Sequence, residues 1–200
     1  MANARFSVAP AYYTGSEVTP EVTITHSGKT LVKDRDFTVT YHNNIEPSSY
    51  YNSPWVGIDG IGNYQGYVTK SFTINRADIS SCTVTLSDES LTYTGSSLRP
   101  TATVKSGDKE LTLNQDYYVS YRNNWDAGTA SAILTGTGNY TGSVTKDFTI
   151  KPLDISRYSA SLSQYSYTSD GTEKCPNVTV TYGDKTLAAG TDFTVSYKDN

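Results

Sequence analysis

Apolar and polar residues alternate along short stretches of this chain, and clusters of Gly, Asn, Asp or Ser separate the stretches. In the clearest stretch, Asp116–Tyr121, the alternation places Tyr117, Val119 and Tyr121 on one face of a strand and Tyr118 on the other. No window shows apolar residues at the 3.6-residue spacing of a helix. The pattern therefore predicts an all-β protein.

The middle of the chain illustrates how many strands one unit contains. The predicted strands are Ile79–Leu86, Thr101–Lys105, Lys109–Leu111, Asp116–Tyr121, Ala130–Thr135 and Val144–Ile150. Turn signals lie between them at roughly 8–12-residue intervals, which is typical of an antiparallel β-sandwich. The immunoglobulin-like class fits best, although the Cys…Trp…Cys core of antibody domains is missing. The expected architecture is a row of immunoglobulin-like antiparallel β-sandwiches arranged end to end.

The same segments recur along the chain. The pattern Asp-aromatic-x-Val-x-Tyr-x-x-Asn begins at Asp36, Asp116 and Asp192, and Gly-x-Gly-Asn-Tyr-x-Gly spans Gly60–Gly66 and Gly136–Gly142. The repeat is 76 residues long, with about four extra residues in the first copy. A chain built from copies of one unit usually gains reach or avidity and seldom contains a catalytic centre.

The repeat predicts three domains. We place the first repeat at 1–76, the second at 77–152 and an incomplete third at 153–200, which stops before its closing strands. The chain is therefore expected to be part of a longer protein, and the last strand, Asp192–Asn200, to present an open sheet edge. The junctions are short and not rich in Gly or Ser, so the units are expected to stack in a semi-rigid array.

Composition limits the function classes. Charged residues make up 18% and hydrophobic residues 36% of the chain, but 17 tyrosines and the regular alternation indicate folded strands and not disorder. The net charge of −4 gives no electrostatic footprint for nucleic acid. No apolar run is long enough to cross a bilayer, so no membrane insertion is expected of this chain.

Catalytic, metal-binding and cofactor-binding constellations are not predicted. Each repeat has one Asp at the start of its central strand, where capping a turn is favoured over acid–base chemistry or calcium binding. The glycine-rich Gly60–Gly66 lacks the helix and the Gly-Lys-Ser/Thr of a phosphate loop, so a strand-joining turn is favoured. Cys82 and Cys175 occupy different places in the repeat, which favours two independent thiols over a bridge between the second and third copies.

The recurring motifs resemble a known family. Tyr-Thr-Gly, Asp-Phe/Tyr-x-Val-x-Tyr, Gly-x-Gly-Asn-Tyr-x-Gly and Phe-x-Ile together are similar to the bacterial immunoglobulin-like repeats of Gram-positive surface proteins, notably those of gut commensals. The resemblance covers Tyr13–Ile74 and Tyr93–Ile150 fully and Tyr167–Asn200 in part. It implies an extracellular location at the bacterial cell surface or cell wall, and a stalk or an adhesin as the function. The partners it implies are host surface or secreted proteins, immunoglobulins among them, or glycans.

Aromatic residues outside the shared pattern are the candidate ligand-binding residues, because Tyr and Trp are favoured binding anchors. They are Tyr118 on the outward face of its strand, Trp125 after the Asn pair of the second repeat, and Tyr50, Tyr51 and Trp55 in the extended loop of the first repeat. Three functions stay open: a non-enzymatic binder of host protein or glycan, a passive spacer that presents a distal domain, and accessory repeats of a secreted carbohydrate-active enzyme.

Overall fold

The computed structural model describes residues 4–200 and shows an all-β protein. The chain forms two compact units, Met1–Lys151 and Pro152–Asn200. The first unit contains the first and second repeats, and the second unit contains the third. No helix in the described part of the chain is long and apolar enough to span a membrane.

The described residues of the first repeat form eight strands in three small sheets. They are β1 (Ala4–Val8), β2 (Ala11–Tyr12), β3 (Val22–His26), β4 (Lys29–Thr30), β5 (Phe37–His42), β6 (Trp55–Gly60), β7 (Tyr67–Ser71) and β8 (Ile74–Asn75). The strand order is β1-β3-β4 in one sheet and β5-β6-β7 in another, and β2 pairs with β8. Ile24 of the first sheet and Phe37, Val56 and Ile58 of the second are buried in one cluster, so these two sheets share a core.

The second repeat follows the same plan. Its strands are β9 (Ala77–Asp78), β10 (Thr83–Leu86), β11 (Ser90–Thr92), β12 (Ala102–Ser106), β13 (Lys109–Glu110), β14 (Tyr117–Arg122), β15 (Gly128–Gly136), β16 (Tyr140–Thr141) and β17 (Ser143–Lys151). One sheet has the order β10-β12-β13 and the other β11-β17-β15-β14, while β16 pairs with β9. The buried residues Val84, Val104, Leu134 and Phe148 come from both larger sheets and form one cluster.

The sequence predicted antiparallel pairing throughout, but three strand pairs are parallel. β2 pairs in parallel with β8, β11 with β17, and β9 with β16. In the first two pairs the partners lie near the beginning and the end of the same repeat, so the chain between them is long enough for a parallel return. In each complete repeat, a strand from the first part of the repeat therefore lies beside the last strand of that repeat.

The predicted strand Ile79–Leu86 was wrong in its first half. Ile79–Ser81 is a 3-10 helix, and only Thr83–Leu86 is extended. The Asp78 carboxylate accepts a hydrogen bond from the Ser80 N–H (2.9 Å) and caps this turn. Since Asp and Ser form such local bonds readily, they override the weak alternation of the segment.

The recurring Asp caps a turn in each repeat, as predicted. Its Oδ2 accepts the backbone N–H four residues earlier, and the distance is 2.8 Å for Asp36, Asp116 and Asp192 alike. Asp36 also accepts from the Arg35 guanidinium (2.9 Å), and this bond is the main reason why the pKa of the Asp36 carboxyl is lowered. The Asp36 carboxylate therefore has a structural role, because its hydrogen bonds hold the turn.

The recurring Tyr and the last Asn of the motif tie the central strand to the segment that precedes it. Each Tyr hydroxyl donates to a proline carbonyl 21 residues earlier: Tyr41 to Pro20, Tyr121 to Pro100 and Tyr197 to Pro176. Each Asn amide donates to a carbonyl 26 residues earlier: Asn44 to Val18, Asn124 to Leu98 and Asn200 to Lys174. The motif therefore encodes one set of hydrogen bonds, which forms three times.

The first and second repeats share buried contacts at their junction. The ring of Tyr13 meets that of Tyr140 edge to face at 5.7 Å, and Lys109 Nζ donates to the Tyr13 hydroxyl at 3.3 Å. Asn139 also donates to Glu46 at 2.7 Å. Because Tyr13 and Tyr140 belong to one hydrophobic cluster, the junction is an extension of the core and not a free linker.

The third repeat forms only one of the two larger sheets. A 3-10 helix, Ile155–Arg157, precedes β18 (Ser159–Leu162), β19 (Val178–Tyr182) and β20 (Lys185–Thr186) in the order β18-β19-β20. Of the described residues in Asp192–Asn200, which was predicted to be a strand, none lies in a regular strand. Phe193, the counterpart of buried Phe37 and Tyr117 in the first two repeats, is only half-buried. Residues 153–200 contain no counterpart of β15, the strand that pairs with this segment in the second repeat.

Candidate functional site

The two cysteines are free thiols, as favoured from the sequence. Cys82 is half-buried, and burial raises the pKa of its thiol. Cys175 is exposed. Within residues 4–200, no cluster of three or more His, Cys, Asp and Glu is placed to hold a metal ion.

The outward-facing side of the β5-β6-β7 sheet carries aromatic residues that the shared motif does not require. We call it the outer face of the first repeat. Strand register arranges its nine residues in three rows: Thr38, Asp59 and Tyr67; Thr40, Gly57 and Thr69; His42, Trp55 and Ser71. The inward-facing alternate residues include buried Val56 and Ile58, which fixes the direction of this face.

Trp55 stacks on His42 at the end of this face. Their ring centroids lie 3.9 Å apart and the ring planes differ by 13°. The prediction that placed Trp55 in the extended loop was wrong: Trp55 is the first residue of β6 and pairs directly with His42 of β5. Cross-strand neighbours have Cβ atoms about 4.5–5.5 Å apart, which brings the two rings into contact. His42 thus covers one side of the indole.

Tyr67 lies over Gly57 in the middle of the face. A Cβ atom built on Gly57 would come within 2.7 Å of the Tyr67 hydroxyl, so only glycine leaves room for the ring in this position. The Tyr67 side chain is 58% exposed, while Gly57 beneath it is buried. The rings of His42, Trp55 and Tyr67 therefore form a partly exposed aromatic surface on one face of the sheet.

The second repeat has a different surface at the same positions. Its rows are Tyr118, Thr135 and Ser143; Ser120, Ile133 and Thr145; Arg122, Ser131 and Asp147. Ser131 stands where the first repeat has Trp55, and its hydroxyl donates to Asp147 at 2.7 Å. Ser143 stands at the position of Tyr67. Since the second repeat folds without these aromatic residues, they are not needed to form the sheet.

Tyr50 and Tyr51 are the most exposed aromatic side chains, with 93% and 95% of their surface accessible. They meet edge to face at 5.0 Å at the tip of the extended loop. The loop is internally braced, because the Asn52 amide donates to the Glu46 carbonyl at 2.7 Å and Ser48 N donates to the Ile74 carbonyl at 2.8 Å. The pair is therefore presented on an ordered turn.

The two candidates in the second repeat do not form one site. Tyr118 lies at the start of β14 and is 48% exposed, in agreement with the predicted outward orientation. Trp125 follows the far end of that strand and is 59% exposed. The four residue steps from Tyr118 to the end of β14 at Arg122 already span about 13 Å at roughly 3.3 Å per residue, and Trp125 lies beyond that end. Each stands alone as a surface aromatic.

His42, Gly57 and Tyr67 were missed by the sequence reasoning. Tyr67 could have been found, because it is an aromatic residue where the second repeat has Ser143, the same criterion that selected Trp55. His42 could not be found from the sequence, because only the strand register shows that it opposes Trp55.

The pKa of the Asp36 carboxyl is shifted away from that of a general acid. A general acid at neutral pH needs a raised pKa, whereas the pKa of Asp36 is lowered by Arg35 and by the Val32 N–H.

Compared with known proteins, the chain matches no family model and no curated protein.

Proposed function

We propose that this chain is a non-enzymatic part of a bacterial cell-surface protein, made of tandem immunoglobulin-like β-sandwiches, and that it binds a host protein or a glycan through the outer face of the first repeat. The sandwich assignment is supported by the two sheets that share one core in each complete repeat. The cell-surface location rests on the resemblance of the repeat motifs.

One observation carries the binding function. The shared residues of the motif cap turns, form hydrogen bonds to the preceding segment or lie in the core. His42, Trp55 and Tyr67 are not shared. The second repeat, which has the same fold, has Arg122, Ser131 and Ser143 at these positions. Aromatic side chains that a fold does not need, and that remain accessible on one face, are typical of a recognition surface.

The test is a binding comparison with defined probes. The intact chain is immobilised and exposed to purified host immunoglobulins and to a glycan array. The double variant Trp55→Ser/Tyr67→Ser introduces the residues of the second repeat and should lower affinity at least tenfold, since aromatic anchors are worth about 2 kcal/mol or more each. The matched variant Tyr118→Ala/Trp125→Ala, in the second repeat, should retain binding. Loss in the second variant alone would move the site to the second repeat.

A passive spacer is the second candidate, and the parallel strand pairs favour it. In the second repeat, β11 near the start and β17 at the end run in parallel, with Thr92 opposite Lys151. A force applied along the chain would load their hydrogen bonds in shear, all at once, because these bonds run across the strand direction. Absence of every partner in the binding comparison would favour this reading.

A further inference from the structure

Trp55 is half-buried and lies between two cross-strand neighbours of very different size. The His42 ring stacks on one side of the indole. On the other flank, the register of β6 and β7 places Ser71 opposite Trp55. Ser71 is exposed and is the smallest side chain in its row. In the second repeat this flank is filled, since Asp147 stands at the position of Ser71 and accepts a hydrogen bond from Ser131.

We propose that this side of Trp55 binds a neutral pyranose ring of a glycan, with the hydroxyls of Tyr67, Thr69 and Ser71 as hydrogen-bonding groups for the sugar. The inference rests on the proposed function and names its ligand class. The axial C–H groups of a pyranose carry partial positive charge and pack well on the negative face of an indole.

The spacing of the hydroxyls suits one sugar ring. Same-face residues on a strand are about 6.6–6.8 Å apart, so the Tyr67 hydroxyl above Gly57 lies about one ring length from the indole. Thr69 and Ser71 are successive same-face residues of the neighbouring strand. A ring stacked on Trp55 would therefore meet hydroxyl groups along two of its edges.

Size argues against a large protein interface here. A fully exposed aromatic side chain contributes about 150–250 Å², and Trp55 and Tyr67 are both partly covered. The three rings together therefore stay below the ~800 Å² per partner of a standard protein interface. The Tyr67 ring occupies the space above Gly57, so the face has no aromatic-lined groove of the kind that a proline-rich peptide needs.

Charge favours a neutral sugar over an acidic one. Asp59 is the only acidic residue among the nine of the outer face, which contains no Lys or Arg. A sialylated or uronic-acid sugar would meet a carboxylate without a compensating cation. The arrangement therefore selects against anionic glycans.

The test uses neutral oligosaccharides that end in β-linked glucose, galactose or N-acetylglucosamine, and sialylated forms of the galactose-terminated probes. In titrations of the intact chain followed by NMR, the indole N–H signal of Trp55 should shift and that of Trp125 should stay. Sialylated probes should bind at least several-fold more weakly. Trp55→Ser and Ser71→Asp introduce the residues of the second repeat, and each should reduce binding at least tenfold. Because Ser71→Asp keeps Trp55, it tests the flank beside the indole separately from the indole itself.

Several outcomes would overturn the inference. They are a shift of Trp125 in place of Trp55, stronger binding of sialylated probes, or full binding by Ser71→Asp. Binding of an immunoglobulin that is lost in Trp55→Ser, with no sugar bound, would refute the sugar chemistry and leave the proposed function standing. If no probe binds at all, both proposals fail.

Discussion

The second and third repeats carry the same strand motif, but only the second repeat buries it. In both, the motif Tyr donates to a proline carbonyl and the last Asn donates to a carbonyl 26 residues earlier. Tyr117 is 3% exposed, whereas its counterpart Phe193 is half-buried and lies outside any regular strand. These hydrogen bonds to the preceding segment therefore form without β15 and β17, whereas the core depends on those two strands, which have no counterparts in residues 153–200.

The largest difference is expected from a matched pair of leucines. Leu86 and Leu162 occupy the same position in β10 and β18, but Leu86 is 5% exposed and Leu162 37%. Leu86→Ala should lower the free energy of unfolding by about 2–5 kcal/mol, because it leaves a cavity. Leu162→Ala should cost less than about 1 kcal/mol in its own unit, since much of its surface is already in water.

Denaturant unfolding of the intact chain can separate the two effects. Both tryptophans, Trp55 and Trp125, lie in Met1–Lys151, so their fluorescence reports on that unit alone. Hydrogen exchange of β19 reports on the third repeat. Equal costs for the two leucine variants would show that the third repeat has a core as complete as that of the second.

A smaller effect is expected from the tyrosine hydroxyls. Tyr121→Phe removes the 2.6 Å hydrogen bond to the carbonyl of buried Pro100 and should cost about 1–3 kcal/mol, because the carbonyl loses its donor away from water. Tyr197→Phe should cost less, since Tyr197 is 37% exposed and water can replace its hydroxyl. The same fluorescence and exchange measurements apply. A larger cost for Tyr197→Phe would place that hydroxyl in a buried environment.

The smallest effect concerns a surface ion pair of the third repeat. Lys174 occupies the position where the second repeat packs Leu98 against its core, and it donates to Asp170. This bond, followed by those from Thr172, lowers the pKa of Asp170 to about 2. A lowered pKa stabilises the fold above the ordinary carboxyl range, and this contribution is lost as the pH falls from about 4 towards 2. The effect on stability is small because the pair is exposed.

The ion pair can be tested by NMR titration of the Asp170 carboxyl. Lys174→Leu, which introduces the residue of the second repeat, should raise the pKa of Asp170 towards 3.8. Lys174→Arg should keep it low. An unchanged value in Lys174→Leu would mean that the Thr172 bonds alone lower it.

Sequence reasoning predicted most strands of the second repeat to within one or two residues, because alternation and turn residues are local signals. The face assignment of Tyr117, Tyr118 and Val119 is confirmed, as is the turn capping by Asp116. The 3-10 helix at Ile79 was missed, since it depends on one side-chain bond from Asp78. The parallel pairing of β11 with β17 was also missed, because pairing between distant segments leaves no periodic trace.

The sequence by itself determined the repeat, the all-β class, the positions of the turns and the recurring residues that hold them. These follow from residue types at short, fixed spacings. Only the tertiary structure decided that His42, Trp55 and Tyr67 share one face and that Ser71 stands opposite Trp55 on the flank away from His42. That arrangement depends on which strands pair and in which register, and a shift of one residue would turn every side chain to the opposite face. The physical reason is that register is set by the whole core, whereas turns are set by a few neighbouring residues.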